Sequence, residues 1–245
     1  MRDSWAAVGD LALPRTCAGC GVPADRWCEG CLEGLAQELG RGLVRGRLGD
    51  LPVWAAGDYG GALRAAVAAY KDGERRDLRP VLSQVALPAL ARALDGLTVP
   101  PAGAGGVLPP GRPARVAVVP APSRASTVRA RGDDPVADLA RATVARWRQT
   151  RPGGPEGRGP EVEVVRALRT VGRVQDQSRL TRAGRRRNLA GHVAVRAGVL
   201  AGDRPTAVVL FDDVVTTGAT VMACRDALRS TGIALLAVVA CARVP

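Results

Sequence analysis

From Leu51 onward, short apolar runs alternate with segments whose apolar residues recur at helical spacing. Val53 to Ala56 has the length of a strand, and Gly60 to Tyr70 carries Leu63, Val67 and Tyr70 on one helix face. A second helix is predicted over Leu78 to Leu94. Further strands are predicted at Val116 to Val119, Val162 to Leu168, Val193 to Val195, Ala207 to Phe211 and Ile233 to Ala240, with helices over Pro135 to Trp147 and Ala219 to Leu228. Strands this continuously apolar are buried on both faces, so the order strand, helix, strand predicts an α/β fold with a mainly parallel sheet flanked by helices. Pro100 to Pro113 and Arg151 to Pro160 are rich in Pro and Gly, lack an apolar period, and are predicted loops.

Residues 1–50 follow a different pattern. They hold four cysteines and then a Gly- and Arg-rich stretch, Glu38 to Asp50, predicted as a short helix running into a connector. The chain therefore divides into a small module at 1–50 and one domain at 51–245.

Composition narrows the chemistry. Hydrophobic residues make up 47% of the 245 but aromatics only 3%, so the core is built from Ala, Val and Leu, and base-stacking surfaces are scarce. Thirty-five basic residues against 23 acids give a net charge of +12, and Lys71 is the single lysine. Arginine presents a planar fork of donors to phosphate oxygens, so this balance favours phosphates, nucleotides or nucleic acid, although an Arg-rich codon usage gives the same excess. No run of eighteen uncharged apolar residues occurs and no secretory pattern follows Met1, which predicts a cytoplasmic protein without membrane insertion.

Ala207 to Phe211 leads directly into Asp212 and Asp213, then Thr216-Thr217-Gly218-Ala219-Thr220 and a helix. A helix start offers unpaired N–H groups and the positive end of its dipole, a seat for phosphate, and Gly218 and the three threonines bring backbone and hydroxyl donors close. Two carboxylates beside a bound phosphate must face something else. Ribose hydroxyls are suitable, each charge-assisted bond being worth roughly 1.5–3 kcal/mol, and the acids are also placed to help hold a Mg²⁺ bridging a pyrophosphate. A helix cap alone would need one acceptor, not two. This order of parts resembles the type I phosphoribosyltransferases, and the resemblance implies that Asp212 and Asp213 hold the ribose hydroxyls, as candidate catalytic residues, while Thr216, Thr217, Gly218, Ala219 and Thr220 hold the 5-phosphate.

The cysteines fall as Cys17-x₂-Cys20-x₇-Cys28-x₂-Cys31, two knuckle-like pairs able to close one four-sulfur site. In a reducing compartment this spacing predicts a structural Zn²⁺ rather than disulfides. Cys224 and Cys241 lie in apolar segments and are predicted to be buried filler.

Ser123 and Arg124 follow the strand at Val116 to Val119, and ligands of parallel sheets gather at the carboxyl ends of strands, so this loop is a candidate to meet pyrophosphate. Arg182 and Arg185 belong to a dense basic cluster, a candidate lid over pyrophosphate or a track for a nucleic-acid backbone. Lys71 is a further phosphate candidate that also suits a helix end. Taken together, the zinc module, the stretch from Tyr59 to Lys71, the loop Pro120 to Gly132, the Gln175 to Asn188 segment and the two acids resemble the ComF branch of phosphoribosyltransferase-like proteins. Where that branch continues Arg-Gly with Phe-Asn, this chain has Asp133-Asp134, which weakens a phosphate role for the loop. The resemblance implies a protein that binds phosphoribosyl pyrophosphate or a nucleotide, a phosphoribosyltransferase or its relative linked to natural competence and DNA uptake. The alternative is a non-catalytic accessory protein that senses phosphoribosyl pyrophosphate or binds single-stranded DNA beside the competence machinery. The lone His192 has no evident catalytic placement.

Overall fold

A computed structural model describes residues 16–24, 26–72, 75–95, 115–123, 134–150, 160–171, 192–200, 205 and 207–245. The expected loop at Pro100 to Pro113, most of the one at Arg151 to Pro160, and the candidates Arg124, Arg182 and Arg185 lie outside these residues. Helix α1 (Glu29–Gly40) precedes the hairpin β1 (Val44–Leu48) and β2 (Leu51–Asp58), followed by α2 (Gly61–Lys71), a 3-10 turn and α3 (Arg79–Asp95). Then come β3 (Arg115–Pro120), α4 (Pro135–Thr150), β4 (Glu161–Val164), β5 (Leu168–Thr170), β6 (Val193–Val195), β7 (Ala207–Val215), α5 (Ala219–Arg229) and β8 (Ala234–Arg243).

Six strands form one sheet in the order β1-β2-β8-β7-β3-β4. Only β1 runs antiparallel; the remaining neighbours are parallel. The fold is α/β, a mainly parallel sheet flanked by helices. Alternation along β7 explains the two-sided burial: Val209 and Phe211 join the core under α2, α3 and α4, whereas Val208 and Leu210 join the core under α5. Both sets are fully buried, so burial on both faces leaves little room for a polar position along the strand.

Two local expectations differ. The stretch expected as helix and connector is helical only to Gly40, and Val44-Arg45-Gly46-Arg47-Leu48 is instead an edge strand turning through Gly49-Asp50. Its inward positions are half-buried and its arginines exposed, a period of two. The run Val162 to Leu168 is not one strand: β4 ends at Val164 on the main sheet, and β5 pairs antiparallel with β6 in a separate two-stranded sheet.

Candidate functional site

Strand β7 does not stop where its apolar run stops. It continues through Asp212 and Asp213 to Val215, and both acids are buried, at 8% and 2% exposure. Buried carboxylates persist only with partners. Asp212 Oδ1 accepts the backbone N–H of Asp213 at 2.9 Å, and Asp213 Oδ1 accepts that of Val214 at 2.8 Å. Strand alternation turns Asp213 toward the α2 side and Asp212 toward the α5 side. There the last residue of α2 meets it: Lys71 Nζ lies 2.8 Å from each oxygen of Asp213.

The electrostatics follow. Burial and then the Asp213 charge raise the Asp212 carboxyl to about 8, against the opposing pull of Lys71. Burial works to lower the Lys71 ammonium, but Asp213 and Asp212 outweigh it and raise it above its usual value. The arrangement is one ammonium paired with Asp213 and acting on Asp212 through space, with Asp212 carrying a proton near neutral pH.

Immediately after β7, Gly218 adopts a left-handed backbone, φ +73°, and stands at the N-cap of α5 with no side chain of its own to cap it. Thr217 Oγ1 accepts the N–H of Ala219 at 3.4 Å, and Thr216 is exposed. An eleven-residue helix with an open N-terminus at the carboxyl end of a central strand is where an anion would be held. Gly218 is required twice over, because a Cβ there would sit 2.6 Å from Leu48 Cδ2 and the positive φ disfavours any side chain. Gly218→Ala is expected to lower stability by about 1–3 kcal/mol and to weaken anion binding with it. Urea unfolding without a loss of stability would show that the loop relaxes freely.

Ser123 sits at the carboxyl end of β3, but its hydroxyl is engaged: it donates to Asp134 Oδ1 at 3.1 Å. Asp134 caps α4 through the N–H of Ala137 at 3.3 Å and pairs with Arg166 at 2.8 Å. The Asp134-Pro135 step is a readable helix start, an N-cap acid followed by a first-turn proline. Sequence spacing alone does not show that Ser123 joins this cap.

At the amino-terminal end, the four cysteine sulfurs all lie within 4.8 Å of one another. Cys17 Sγ is 3.6 Å and Cys20 Sγ 3.5 Å from Cys28 Sγ, close to the edge of about 3.8 Å expected for a tetrahedron of Zn–S bonds near 2.3 Å. All are free thiols. Backbone N–H groups of Gly19 and Cys28 point at Cys17 Sγ at 3.4 and 3.3 Å. Burial works to raise the Cys17 thiol, but these donors, with Cys20, bring it down to about 6, whereas hydrogen bonds to Cys28 and Cys20 push Cys31 up to about 12. The four cysteines can bind a structural zinc. Cys28 starts α1 and Cys31 lies in its first turn, so a metal there would fix the helix start.

Helix α1 is also tied to the domain. The Glu38 carboxylate accepts the N–H groups of Ala62 and Leu63, each at 3.0 Å, and thereby caps α2, the helix that ends in Lys71. Gly61, with φ +46°, leaves room for it, since a Cβ there would lie 1.9 Å from Glu38 Oε1. Cys224 and Cys241 are fully buried, and burial raises both thiols. His192 contributes its carbonyl to the N–H of Val171 at 2.8 Å, beside the β5–β6 pair. No helix among the described residues is long and apolar enough to cross a membrane. The chain matches no protein-family model and no curated protein.

Proposed function

We propose that the chain is a type I phosphoribosyltransferase-like protein of the ComF kind, and that the loop after β7 binds the 5-phosphoribose part of phosphoribosyl pyrophosphate or of a nucleotide. The observation that carries the reading is the start of α5, with a glycine at its N-cap, directly beyond the two buried carboxylates. In this reading Thr216, Thr217, Gly218, Ala219 and Thr220 take the phosphate, whose charge suits the helix start. Asp212 and Asp213 take the ribose hydroxyls. Because Lys71 occupies both oxygens of Asp213, the sugar must draw the ammonium away from at least one of them. Lys71 is then released toward the ring carbon and its leaving pyrophosphate, where a positive charge is useful. A Mg²⁺ accompanying the donor would offset the pyrophosphate charge, and Cys17, Cys20, Cys28 and Cys31 would hold a structural Zn²⁺.

The same ligand site serves either pentosyl transfer or sensing without turnover. One observation favours sensing: Ser123, one of the residues expected at the pyrophosphate, donates its hydroxyl to the Asp134 cap. Titration calorimetry of the full chain with phosphoribosyl pyrophosphate and Mg²⁺ tests the common part. Binding is expected, and Asp213→Asn should weaken it about tenfold or more, the loss of one charge-assisted hydrogen bond. No binding of the donor or of ribose 5-phosphate by the wild type would sink the reading. Pyrophosphate release in the presence of a panel of bases then separates enzyme from sensor.

A further inference from the structure

Helices α1 and α3 and strand β2 leave an open groove of about 350 Å³ on the face of the sheet away from α5. Its walls are Leu32, Leu35 and Leu39 of α1, Val81 and Val85 of α3, and Ala56 of β2. Leu32, on the rim, is 52% exposed, an unusual position for a large apolar side chain beside an open apolar groove.

The groove is apolar along its length and cationic at one end. On α3 the groove-lining Gln84 and Pro88 are followed, one turn on, by Arg92. On β2, Trp54 is two residues from groove-lining Ala56 and so lies on the same face. Trp54 is flanked by two guanidiniums, Arg45 of β1 at 5.3 Å and Arg92 of α3 at 5.0 Å from its ring centre. Both arginines are exposed, and neither pairs with a carboxylate among the described residues, whereas Arg75, Arg115, Arg141, Arg166 and Arg225 each do. Stacking on Trp54 holds the two guanidiniums in place with their edges open to an incoming acid. Arg41, exposed just beyond α1, adds a third charge beside the groove-lining Gly42.

The Pro88 ring contributes as well. Pro88 has no N–H to give the carbonyl of Gln84, so the helix lacks that bond at two groove-lining residues. A groove with leucine walls and a paired-arginine end matches an amphipathic helix with apolar anchors at three-to-four-residue spacing and acids at one end. A nucleic acid fits poorly: the groove walls are leucines and valines, and the aromatic ring at its end, Trp54, already has two guanidiniums over it. The geometry points to a docking groove for an acidic amphipathic helix of a partner protein, formed where the cysteine module meets the domain and separate from the Asp212–Asp213 site.

The probe is a fluorescein-labelled helical peptide with leucines on one face and three glutamates at one end, titrated by anisotropy into the full zinc-loaded chain. A control peptide has lysines for the glutamates, and a second has the same composition with the leucines scattered. The acidic amphipathic peptide is expected to bind, with each control weaker by about tenfold or more. Arg45→Glu with Arg92→Glu should weaken binding about tenfold, and Leu32→Asp should do the same without either change affecting thermal stability appreciably, since all three side chains are exposed. Equal affinity for the three peptides, or binding indifferent to the arginine reversals, overturns the proposal. So does a concentration-dependent dimer that Leu32→Asp dissolves, which assigns the groove to a second copy, or binding that appears only when residues 1–15 are removed, which assigns it to the chain's own amino terminus.

Discussion

Chelation of the metal is expected to unfold the segment from Thr16 through α1 and to loosen the start of α2, while the sheet keeps its protection. Among the described residues of the segment only Cys17 and Leu35 are buried apolar positions, so hydrophobic burial there cannot offset the entropy of ordering it. Metal binding to four thiolates supplies an apparent energy of roughly 10–16 kcal/mol in comparable small modules, and that energy is folding energy for a segment with so little core. The loss should travel further than the module. Glu38 leaves with α1, the N–H groups of Ala62 and Leu63 lose their acceptor, and about 1 kcal/mol of cap is removed from α2. Hydrogen exchange read by mass spectrometry should show protection lost over residues 26–40 and in the first turn of α2, retained in β7 and β8, and restored by added zinc. Cys17→Ser should reproduce the pattern in the presence of zinc. A reducing agent without chelator should do nothing, because the thiols are free. Protection of α1 that is indifferent to chelator would mean that the four sulfurs are not what holds it.

How much of this was readable from residue order depends on how local the cause is. The cysteine spacing is local, and the four sulfurs do converge. Buried strands are local too, because an apolar run carries its own signal, which is why the cores of β3, β7 and β8 follow from pattern. The end of β7 is different. Its apolar run stops at Phe211, yet the strand runs four residues further because backbone N–H groups and a distant ammonium satisfy two buried acids. Pattern cannot show a charge whose partner is 142 positions away. The same holds for Glu38, which reads as one more polar residue on a surface helix until α2 is placed beside it. β1 has a five-residue period of two, Val44 to Leu48, too short and too Arg-rich to outweigh a connector reading; pairing with β2 decides it. Asp134 is the converse case. Its cap is written locally in Asp-Pro, but the Ser123 and Arg166 bonds that give it a place beside the site are not.

Replacing Lys71 by Met is expected to destabilise the protein more at pH 8 than at pH 5, because Lys71 is the cation that offsets two buried carboxyls. In the wild type, Asp212 is raised to about 8, by burial first and then by Asp213. The unfolded chain releases that proton near pH 4, so between about 4 and 8 the folded state binds more protons than the unfolded one. Stability therefore falls as pH rises through this window and levels off above it. Removing Lys71 takes away the influence that lowers Asp212 and leaves Asp213, 2% exposed, without its counter-ion. The fall with pH becomes steeper and extends to higher pH. Breaking a fully buried pair costs about 3–5 kcal/mol, and since the Lys71 side chain is 46% exposed, solvent screening reduces the expected loss at pH 8 to about 1–3 kcal/mol. At pH 5 Asp212 is protonated, so the pair of acids carries one charge fewer than at pH 8 and the loss is smaller. Adding Asp213→Asn to Lys71→Met removes the charge that was left unpaired, so the double variant should be more stable at pH 8 than Lys71→Met alone. Asp212→Asn in the wild-type background should flatten the fall between pH 5 and pH 8. Urea unfolding of these four proteins and of Asp213→Asn alone at both values measures each step, and additive losses in the double variant would show that Lys71 and Asp213 do not act on one another.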